Sequence, residues 1–291
     1  MRPIKLDDII GQGRVKTVCK TLMLSAQKRG EPIPHILFSG SSGTGKTTFA
    51  RALANDYGGK LHLSNGGTIT SIKDVHAITS YLNRGDIWFI DEIHRIPMKV
   101  CESLYTIMED FRYEFMADGK PTSEAIAPFT MIGATTDLGV MPLPMRARFK
   151  FISEFQTYTL DELTEISLLV AKSYGFKLNK AVASRIAMTC RDNPRHVVSR
   201  TEWVRDFMVA NDLKKITTKQ LVDIIDLQGF DKDGLRPIDR RYLTILALNG
   251  PIGVQSIASK LGVDQTTITT DIEPYLLVKD MINITTKGRT I

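Results

Sequence analysis

Short runs of apolar residues mark the first half of the chain, and each run ends in residues of a different chemical type. The run before Gly40 enters a glycine-rich stretch, residues 87–90 lead into two acids, and residues 129–134 lead into two threonines. Continuous apolar runs predict strands buried on both faces, as in parallel sheets. Helix-period spacing appears between them, for example at residues 15–26. The pattern predicts an α/β domain over residues 1–155. Further predicted elements are helices at 47–57, 74–82 and 100–108, a strand at 61–63 and a hairpin around 113–121.

The next part of the chain is predicted to be helical. Ser, Thr, Asn and Asp side chains accept hydrogen bonds from the first free N–H groups of a helix, so they mark where helices open. Such openings occur at Thr159, Asn179, Asn193 and Thr217, and Glu162 completes a capping box with Thr159. Residues 156–234 are therefore predicted to form a small all-α domain, with a linker at 231–234.

Residues 235–291 have the element order of a winged helix. Helices are predicted at 239–248, 254–261 and 265–276, followed by a strand and a hairpin turn at 281–289. In such domains one helix lies along a DNA groove and the wing contacts phosphates, here through Lys287 and Arg289. A winged helix that binds protein instead of DNA is the alternative.

Composition and charge narrow the class of protein without deciding its partner. The chain has 291 residues, of which 43% are hydrophobic and 24% charged, as in ordinary globular proteins. Its net charge of +6 is spread without a dense basic run, so charge alone does not decide DNA binding. Three widely spaced cysteines argue against a disulfide framework or zinc site. No signal-peptide pattern or membrane-length apolar run is present, which predicts a cytoplasmic protein without membrane association.

The strongest chemical signal is a phosphate-binding loop between a predicted strand and a predicted helix. The stretch from Gly40 follows the spacing G-x-x-x-x-G-K-T, with Gly43 and Gly45 inside it. Glycines let the backbone turn its N–H groups toward an anion, and the following helix N-terminus favours phosphate. Lys46 is predicted to contact the outer phosphates of ATP, and Thr47 to bind Mg²⁺. A glycine-serine turn without a ligand is the alternative.

Two acids, Asp91 and Glu92, follow the apolar run at 87–90. Open α/β sheets bind ligands at the carboxyl ends of their strands. Asp91 is therefore predicted to organise Mg²⁺, and Glu92 to orient and polarise the attacking water. A pair of solvated loop acids is the alternative, which the preceding phosphate loop disfavours.

A hydroxyl and three cations also suit nucleotide hydrolysis. Thr135 ends a predicted strand, where it could sense the terminal phosphate or hold the water; a strand-end threonine without a ligand is the alternative. Arg146 and Arg148 lie on a predicted turn or short helix, from which an arginine could reach a neighbouring subunit's phosphate. Ordinary surface arginines are the alternative. Arg195 lies near a helix start, which is unfavourable for a cation unless an anion shares the site.

Motifs spread along nearly the whole chain match one known family. They are Arg2-Pro3, Ile10-Gly11-Gln12, Gly40 to Thr48, residues 89–95, Met108-Glu109-Asp110-Phe111, Pro128-Phe129-Thr130, residues 133–136, Arg146-x-Arg148-Phe149, Asn193-Pro194-Arg195 and residues 273–276. Their order closely resembles the RuvB family, the AAA+ motors of Holliday-junction branch migration. The resemblance implies an AAA+ P-loop domain, a helical lid and a winged helix. It also implies a hexameric ring that uses ATP and Mg²⁺ to pull double-stranded DNA.

The resemblance further implies roles for single residues. Lys46 and Thr47 belong to the Walker A motif, and Asp91 and Glu92 belong to the Walker B motif. Thr135 is sensor one. Arg148 is the arginine finger that acts across subunits, and Arg146 lies beside it. Arg195 is the sensor arginine of the lid, and Arg289 the DNA-contacting residue of the wing. The implied nucleotide pocket contains Arg2, Ile10, Gly40, Gly43, Thr44, Gly45, Lys46, Thr47, Thr48, Tyr158 and Arg195.

This chain departs from the family pattern in three places. Its hairpin between Phe111 and Pro128 is shorter; in the family that hairpin docks the partner RuvA, so a RuvA-like partner stays open and is disfavoured. Ser41-Ser42 replace the usual two prolines. The chain also begins at the Arg-Pro motif and stops at Ile291, in the wing's return strand. We hypothesise a compact, divergent version such as a phage or mobile-element copy.

The leading hypothesis is an ATP-driven translocase on double-stranded, branched DNA, active as a homo-oligomeric ring. A clamp-loader or helicase-loader ATPase is the first alternative, which the winged helix and the Arg-Pro start disfavour. A non-enzymatic winged-helix regulator is the second, and the intact Lys46, Glu92 and Arg148 argue against it.

Overall fold

A computed structural model describes residues 4–117 and 120–291, in two compact units that divide after Tyr158. The first unit contains the α/β domain that the sequence predicts. Its helices are α1 (Gly13–Arg29), α2 (Lys46–Tyr57), α3 (Ile72–Thr79), α4 (Met98–Asp110) and α5 (Leu143–Ala147). Its strands are β1 (Ile36–Ser39), β2 (Leu61–Asn65), β3 (Ile87–Asp91), β4 (Arg112–Ala117), β5 (Lys120–Ala125), β6 (Thr130–Thr135) and β7 (Phe151–Glu154).

The main sheet is parallel and has the strand order β2-β3-β6-β1-β7. β6 therefore lies between β1 and β3: Phe38 pairs with Ala134 on one side, and Ile90 pairs with Gly133 on the other. Since all three strands run in one direction, their carboxyl ends meet at one edge. This edge carries the predicted phosphate loop, the two acids and the strand-end threonines.

Both faces of the sheet are buried, which confirms the interpretation of the continuous apolar runs. Trp88 and Ile90 pack into the core on one face, whereas Ile87 and Phe89 pack into the core on the other. Successive side chains of a strand point to opposite faces. A strand between two cores therefore needs apolar residues at every position.

A buried histidine joins the sheet to α4. His35, the residue before β1, accepts a hydrogen bond at Nδ1 from the Met131 N–H (2.8 Å), and its Nε2 donates to the Met108 carbonyl oxygen (3.0 Å). These partners select the neutral ring protonated on Nε2. Burial lowers the pKa of His35 to about 4, and the Met108 carbonyl offsets this only in part.

The predicted hairpin is formed by β4 and β5, which pair antiparallel from Arg112 and Ala125 to Ala117 and Lys120. Its turn, residues 118–119 of the hairpin predicted around 113–121, lies outside the described residues. Met116 on β4 is 67% exposed.

The second unit confirms the predicted helical segment and the winged-helix element order. Its elements are α6 (Leu160–Ser173), α7 (Lys180–Met188), α8 (Pro194–Ala210), α9 (Thr218–Asp226), α10 (Pro237–Asn249), α11 (Val254–Leu261), α12 (Gln265–Thr267), α13 (Glu273–Val278), β8 (Asn283–Thr285) and β9 (Gly288–Thr290). Thr159, Asn179, Asn193 and Thr217 each accept a backbone N–H at the start of a helix, as predicted. No helix within the described ranges has both the length and the apolar character that a membrane crossing needs.

The predicted third helix of the winged helix, 265–276, is not a regular α-helix. Asp264 caps it as expected, accepting the Thr267 N–H at 2.6 Å. Residues Ile268–Ile272, however, form a π-helical turn between α12 and α13. Pro274 gives the physical reason: proline has no N–H, and in a regular helix its ring would clash with the carbonyl four residues earlier. A wider turn relieves that clash.

The predicted linker at 231–234 is closely packed. The Asp231 carboxylate accepts the Leu235 N–H at 2.9 Å. Gly234 has φ of +77°, and a Cβ at this position would lie 2.9 Å from the Thr189 carbonyl oxygen. Only glycine fits both the backbone conformation and the space.

An ion-pair cluster joins the helices before this linker to those after it. Arg191, in the turn before α8, pairs with the fully buried Asp239 of α10. Arg236 lies 3.1 Å from the same carboxylate. The ring of Tyr275 lies 4.7 Å from the Arg191 guanidinium carbon. Burial lowers the pKa of Arg191, and the charge of Asp239 opposes that shift.

Candidate nucleotide-hydrolysis site

The loop between β1 and α2 has the backbone geometry of an anion site. Gly40, Gly43 and Gly45 have φ values of 145°, 82° and 96°, a region that favours glycine. Gly40 also lacks space, because a Cβ there would lie 2.9 Å from Phe155 Cβ. The loop leads into the free N–H groups of a helix start, which favour phosphate. The first residues of that helix are Lys46, Thr47 and Thr48.

Side chains of the predicted pocket contact this loop. Lys46 Nζ donates to the carbonyl oxygens of Gly40 (2.6 Å) and Ser41 (2.9 Å). The Thr44 hydroxyl also donates to the Ser41 carbonyl (2.9 Å), and the Tyr158 hydroxyl donates to the Thr44 carbonyl (3.1 Å). The structure thus brings Thr44, Lys46 and Tyr158 together at the loop.

The segment before α1 lies against the residues that follow β7. Gln12 has a left-handed backbone with φ of 54°. Its Nε2 donates to the Gln156 carbonyl (2.8 Å), and its Oε1 accepts the Gln156 N–H (3.0 Å). This pairing joins the segment that contains the predicted pocket residue Ile10 to the residues that follow β7. The predicted Arg2 lies outside the described residues.

Asp91 ends β3, and Glu92 follows with a left-handed φ of 49°. The Asp91 carboxylate accepts the Glu92 N–H at 3.1 Å. Gly66 lies directly behind: a Cβ there would be 2.2 Å from the Glu92 carbonyl oxygen. Sequence reasoning missed Gly66, since its only signal is a glycine pair after a strand.

Two side chains that sequence reasoning also missed hold the Glu92 carboxylate. The Thr136 hydroxyl donates to Glu92 Oε2 (3.2 Å), and His94 Nε2 lies 3.3 Å from the same oxygen. His94 Nδ1 lies 2.9 Å from the hydroxyl oxygen of Thr135. Thr135 is fully buried, and its hydroxyl also donates to the Asp137 carbonyl at 3.0 Å. The predicted sensor therefore contacts Glu92 through His94, whereas Thr136 contacts it directly.

The two candidate finger arginines have different surroundings. Arg146 donates through Nε and Nη2 to two backbone carbonyl oxygens of the turn before α5, both at 2.9 Å. Arg148, the residue after α5, has its guanidinium carbon 4.1 Å from the ring centroid of Tyr105, and its Nη2 lies 3.4 Å from Glu109. Arg146 is held by backbone carbonyl oxygens, whereas Arg148, which also donates to the Pro144 carbonyl, contacts two side chains of α4.

The remaining predicted residues belong to the second compact unit. Arg195 is the second residue of α8, and its N–H donates to the Asn193 side chain at 2.9 Å. Lys287 is exposed in the turn between β8 and β9. Arg289 donates to the buried Glu273 at 2.8 Å, and this hydrogen bond raises the pKa of Arg289. The roles of these residues stay predictions.

Two family models match the chain. One, the Holliday junction DNA helicase RuvB P-loop domain, matches residues 1–155, which is more than half of the chain. The chain belongs to the RuvB family. The second model, the RuvB C-terminal winged helix domain, matches residues 232–291. The resemblance inferred from the motifs is confirmed.

RuvB proteins are similar to this chain over its full length. The Holliday junction branch migration complex subunit RuvB of Kosmotoga olearia is 37% identical over 296 residues, covering 99% of this chain and 86% of its own. That of Thermotoga maritima is 36% identical over 298 residues, covering 100% and 89%. The solved structure of the Thermotoga maritima RuvB Holliday junction branch migration motor has a TM-score of 0.85 at 35% identity, covering 100% and 95%. The predicted fold class is confirmed; the roles of single residues and the domain limits at 155 and 234 stay predictions.

Proposed function

We propose that this chain is an ATP-driven double-stranded DNA translocase that promotes branch migration of Holliday junctions as a hexameric ring. One observation carries the proposal: the phosphate loop, Asp91–Glu92 and Thr135–Thr136 meet at the carboxyl ends of three neighbouring strands. They do so in a chain that is similar from end to end to subunits named for branch migration.

ATP binds the loop between β1 and α2, with Lys46 on its outer phosphates. Tyr158 and Ile10 complete the proposed pocket within the first unit, and Arg2 and Arg195 are assigned to nucleotide binding from the family resemblance alone. The donor set also suits Mg²⁺, because the Thr47 hydroxyl and the Asp91 carboxylate are hard oxygen ligands of the kind this cation prefers. Thr47 and Asp91 would hold the ion, which when bound neutralises charge on the phosphates.

Glu92 orients the attacking water and accepts its proton. His94 and Thr136 both contact Glu92 Oε2, which restricts rotation of the carboxylate and leaves Oε1 to accept the proton. Thr135 supports His94 from the buried side. Arg148 of a neighbouring copy stabilises the charge that develops as the terminal phosphate leaves.

The winged helix supplies the DNA contact. Lys287 and Arg289 bind phosphates of the duplex, which gives affinity without sequence preference. Glu273 orients Arg289, whereas Lys287 is an exposed cation. A RuvA-like partner, if one exists, contacts the β4–β5 hairpin, where Met116 is exposed. The proposed location is the cytoplasm.

The test is ATP-dependent movement of a synthetic four-way junction by the purified full chain. Glu92→Gln should bind ATP with unchanged affinity and lose hydrolysis by about 100-fold or more, because it removes the general base. Glu102→Gln makes the same chemical change at an exposed position of α4 and should retain wild-type rates.

The three candidate functions predict different results in these assays. A translocase hydrolyses ATP and moves the junction. A loader hydrolyses ATP on DNA and leaves the junction where it is, and a regulator binds DNA without hydrolysis. Either of the last two results for the wild-type chain contradicts the proposal.

A further inference from the structure

The guanidinium of Arg148 is held from one side by two residues of α4. Its carbon lies 4.1 Å from the Tyr105 ring centroid, and Nη2 lies 3.4 Å from the Glu109 carboxylate. Nη1 donates to the Pro144 carbonyl at 2.8 Å. Nε is buried and has no hydrogen-bond partner among the described residues. The Tyr105 ring is therefore the contact that covers a face of the guanidinium, whereas the other contacts involve single N–H groups.

Tyr105 is itself fixed in place. It lies one helical turn before Glu109, so both side chains project from the same face of α4. The ring is half-buried and packs against the core that contains Phe149 and Met145. Those two core residues flank Arg148 in the sequence, so they tie the backbone on both sides of the arginine to the same packed surface.

We propose that Tyr105 is a positioning residue for the arginine finger Arg148. Its ring sets the plane and direction of the guanidinium before that group contacts the nucleotide of the adjacent subunit. The inference rests on the proposed function, in which Arg148 acts across a subunit boundary. Planar guanidinium groups stack on aromatic faces, and this contact uses none of their N–H donors. Apart from the buried Nε and the Nη1 N–H donated to Pro144, the N–H donors therefore remain available for phosphate oxygens.

The Glu109 contact has a different character. Its carboxylate side chain is 57% exposed, and exposed ion pairs of this kind contribute little. An incoming phosphate can exchange with it, whereas the ring stays beneath the guanidinium. A strong ion pair at this position would have to break before each turnover.

The experiment compares Tyr105→Leu with Tyr105→Phe in the full chain. Loss of the ring should lower kcat about tenfold with the KM for ATP unchanged, because a cation–π contact contributes on that scale and the finger acts only as the bond breaks. The phenylalanine variant keeps the face and should recover most of kcat. Tyr81→Leu, at a tyrosine that is 76% exposed, is the matched control.

Mixing subunits separates positioning of the finger from damage to the site. Glu92→Gln subunits have a dead site and an intact Arg148. Added in excess to Tyr105→Leu subunits, they should raise the turnover per Tyr105→Leu site several-fold, because most of these sites then have a Glu92→Gln neighbour with a well-placed finger. Arg148→Ala subunits should be rescued in the same way.

The outcomes are distinguishable. If Arg148→Ala hydrolyses ATP normally, Arg148 is not the arginine finger, and the inference about Tyr105 is wrong as well. Suppose instead that Arg148→Ala is inactive and is rescued by Glu92→Gln subunits. The inference alone is then overturned if Tyr105→Leu keeps the wild-type kcat, or if Tyr105→Leu loses activity and is not rescued. If Tyr105→Leu does not fold, Glu109→Lys replaces it in the experiment, because a lysine at this exposed position repels the Arg148 guanidinium. A loss of kcat that Glu92→Gln subunits rescue supports positioning of Arg148 by α4. An unchanged kcat contradicts it.

Discussion

Mild acid should destabilise the sheet domain through a single residue, His35. The pKa of His35 is lowered to about 4 by burial, against about 6.5 for an unfolded histidine. Between these values the unfolded chain binds the proton and the folded chain does not, so stability falls as pH falls. Linkage over this interval gives a loss of about 2 kcal/mol between pH 7 and pH 5.

Other groups of the sheet domain with shifted pKa values do not interfere in this window; His196, whose pKa is lowered mainly by burial, belongs to the second unit. Hydrogen bonds lower the pKa of Asp74, mainly the one from the Ser71 hydroxyl. For Asp86, burial is the largest influence and raises the pKa, but hydrogen bonds from Asn83 and His62 outweigh it and the net shift is downward. Stabilisation from such carboxylates is present above about pH 4 and is lost only below it.

The assay is urea unfolding followed by tryptophan fluorescence. The chain has two tryptophans, Trp88 and Trp203. In a Trp203→Phe background Trp88 alone reports on the sheet domain, where its side chain is fully buried. Midpoints measured at pH 7 and pH 5 then give the change in free energy of unfolding for that domain.

The decisive variant is His35→Asn, which keeps an acceptor for the Met131 N–H and cannot titrate. It should be less stable at pH 7 by about 1–3 kcal/mol, since the Met108 carbonyl loses its donor. Its stability should change little between pH 7 and pH 5. His76→Asn, at a histidine whose side chain is 41% exposed, should keep the full decrease. A similar decrease in His35→Asn, or one below about 0.5 kcal/mol in the parent, would refute the linkage reasoning.

Three other outcomes are expected. Gly66→Ala should reduce ATPase activity about 100-fold or more, measured beside Glu92→Gln, because the new methyl group would occupy the space of the Glu92 carbonyl. Asp239→Asn should destabilise the second unit by about 3 kcal/mol in hydrogen-exchange measurements, since it leaves Arg191 without its buried counter-charge. Lys287→Ala should weaken duplex binding uniformly across sequences and reduce the slope of log K against log salt by about 0.9, and an unchanged slope would contradict a phosphate contact.

Local chemistry explains which parts of the site could be predicted. The phosphate loop was predictable because a glycine spacing, a lysine and a threonine are contiguous in sequence. The acids at 91–92 were predictable because their strand is apolar at every position and ends where ligands bind in parallel sheets. Neither inference needed a contact between residues that are distant in the chain.

The contacts around Glu92 could not be predicted for the opposite reason. Thr136 and Gly66 reach this residue only because β2, β3 and β6 are neighbours in the sheet, an order that the sequence does not state. His94 follows Glu92 closely, but its sequence position does not show that its ring turns back to the carboxylate. A single glycine or histidine has no signal that separates close approach from an ordinary turn or surface position. The π-helical turn before Pro274 is a similar case, since the proline marks a disturbance of the helix but not its form.

The buried Arg191–Asp239 pair and the tightly fitted Gly234 have a mechanical consequence. Salt bridges and the Tyr275 ring join the segments on either side of residues 231–234, and glycine is the only residue that fits at 234. The connection between α9 and α10 is therefore rigid. A rotation of helices α6–α9 would therefore carry helices α10–α13 with it, because residues 231–234 have no room to bend.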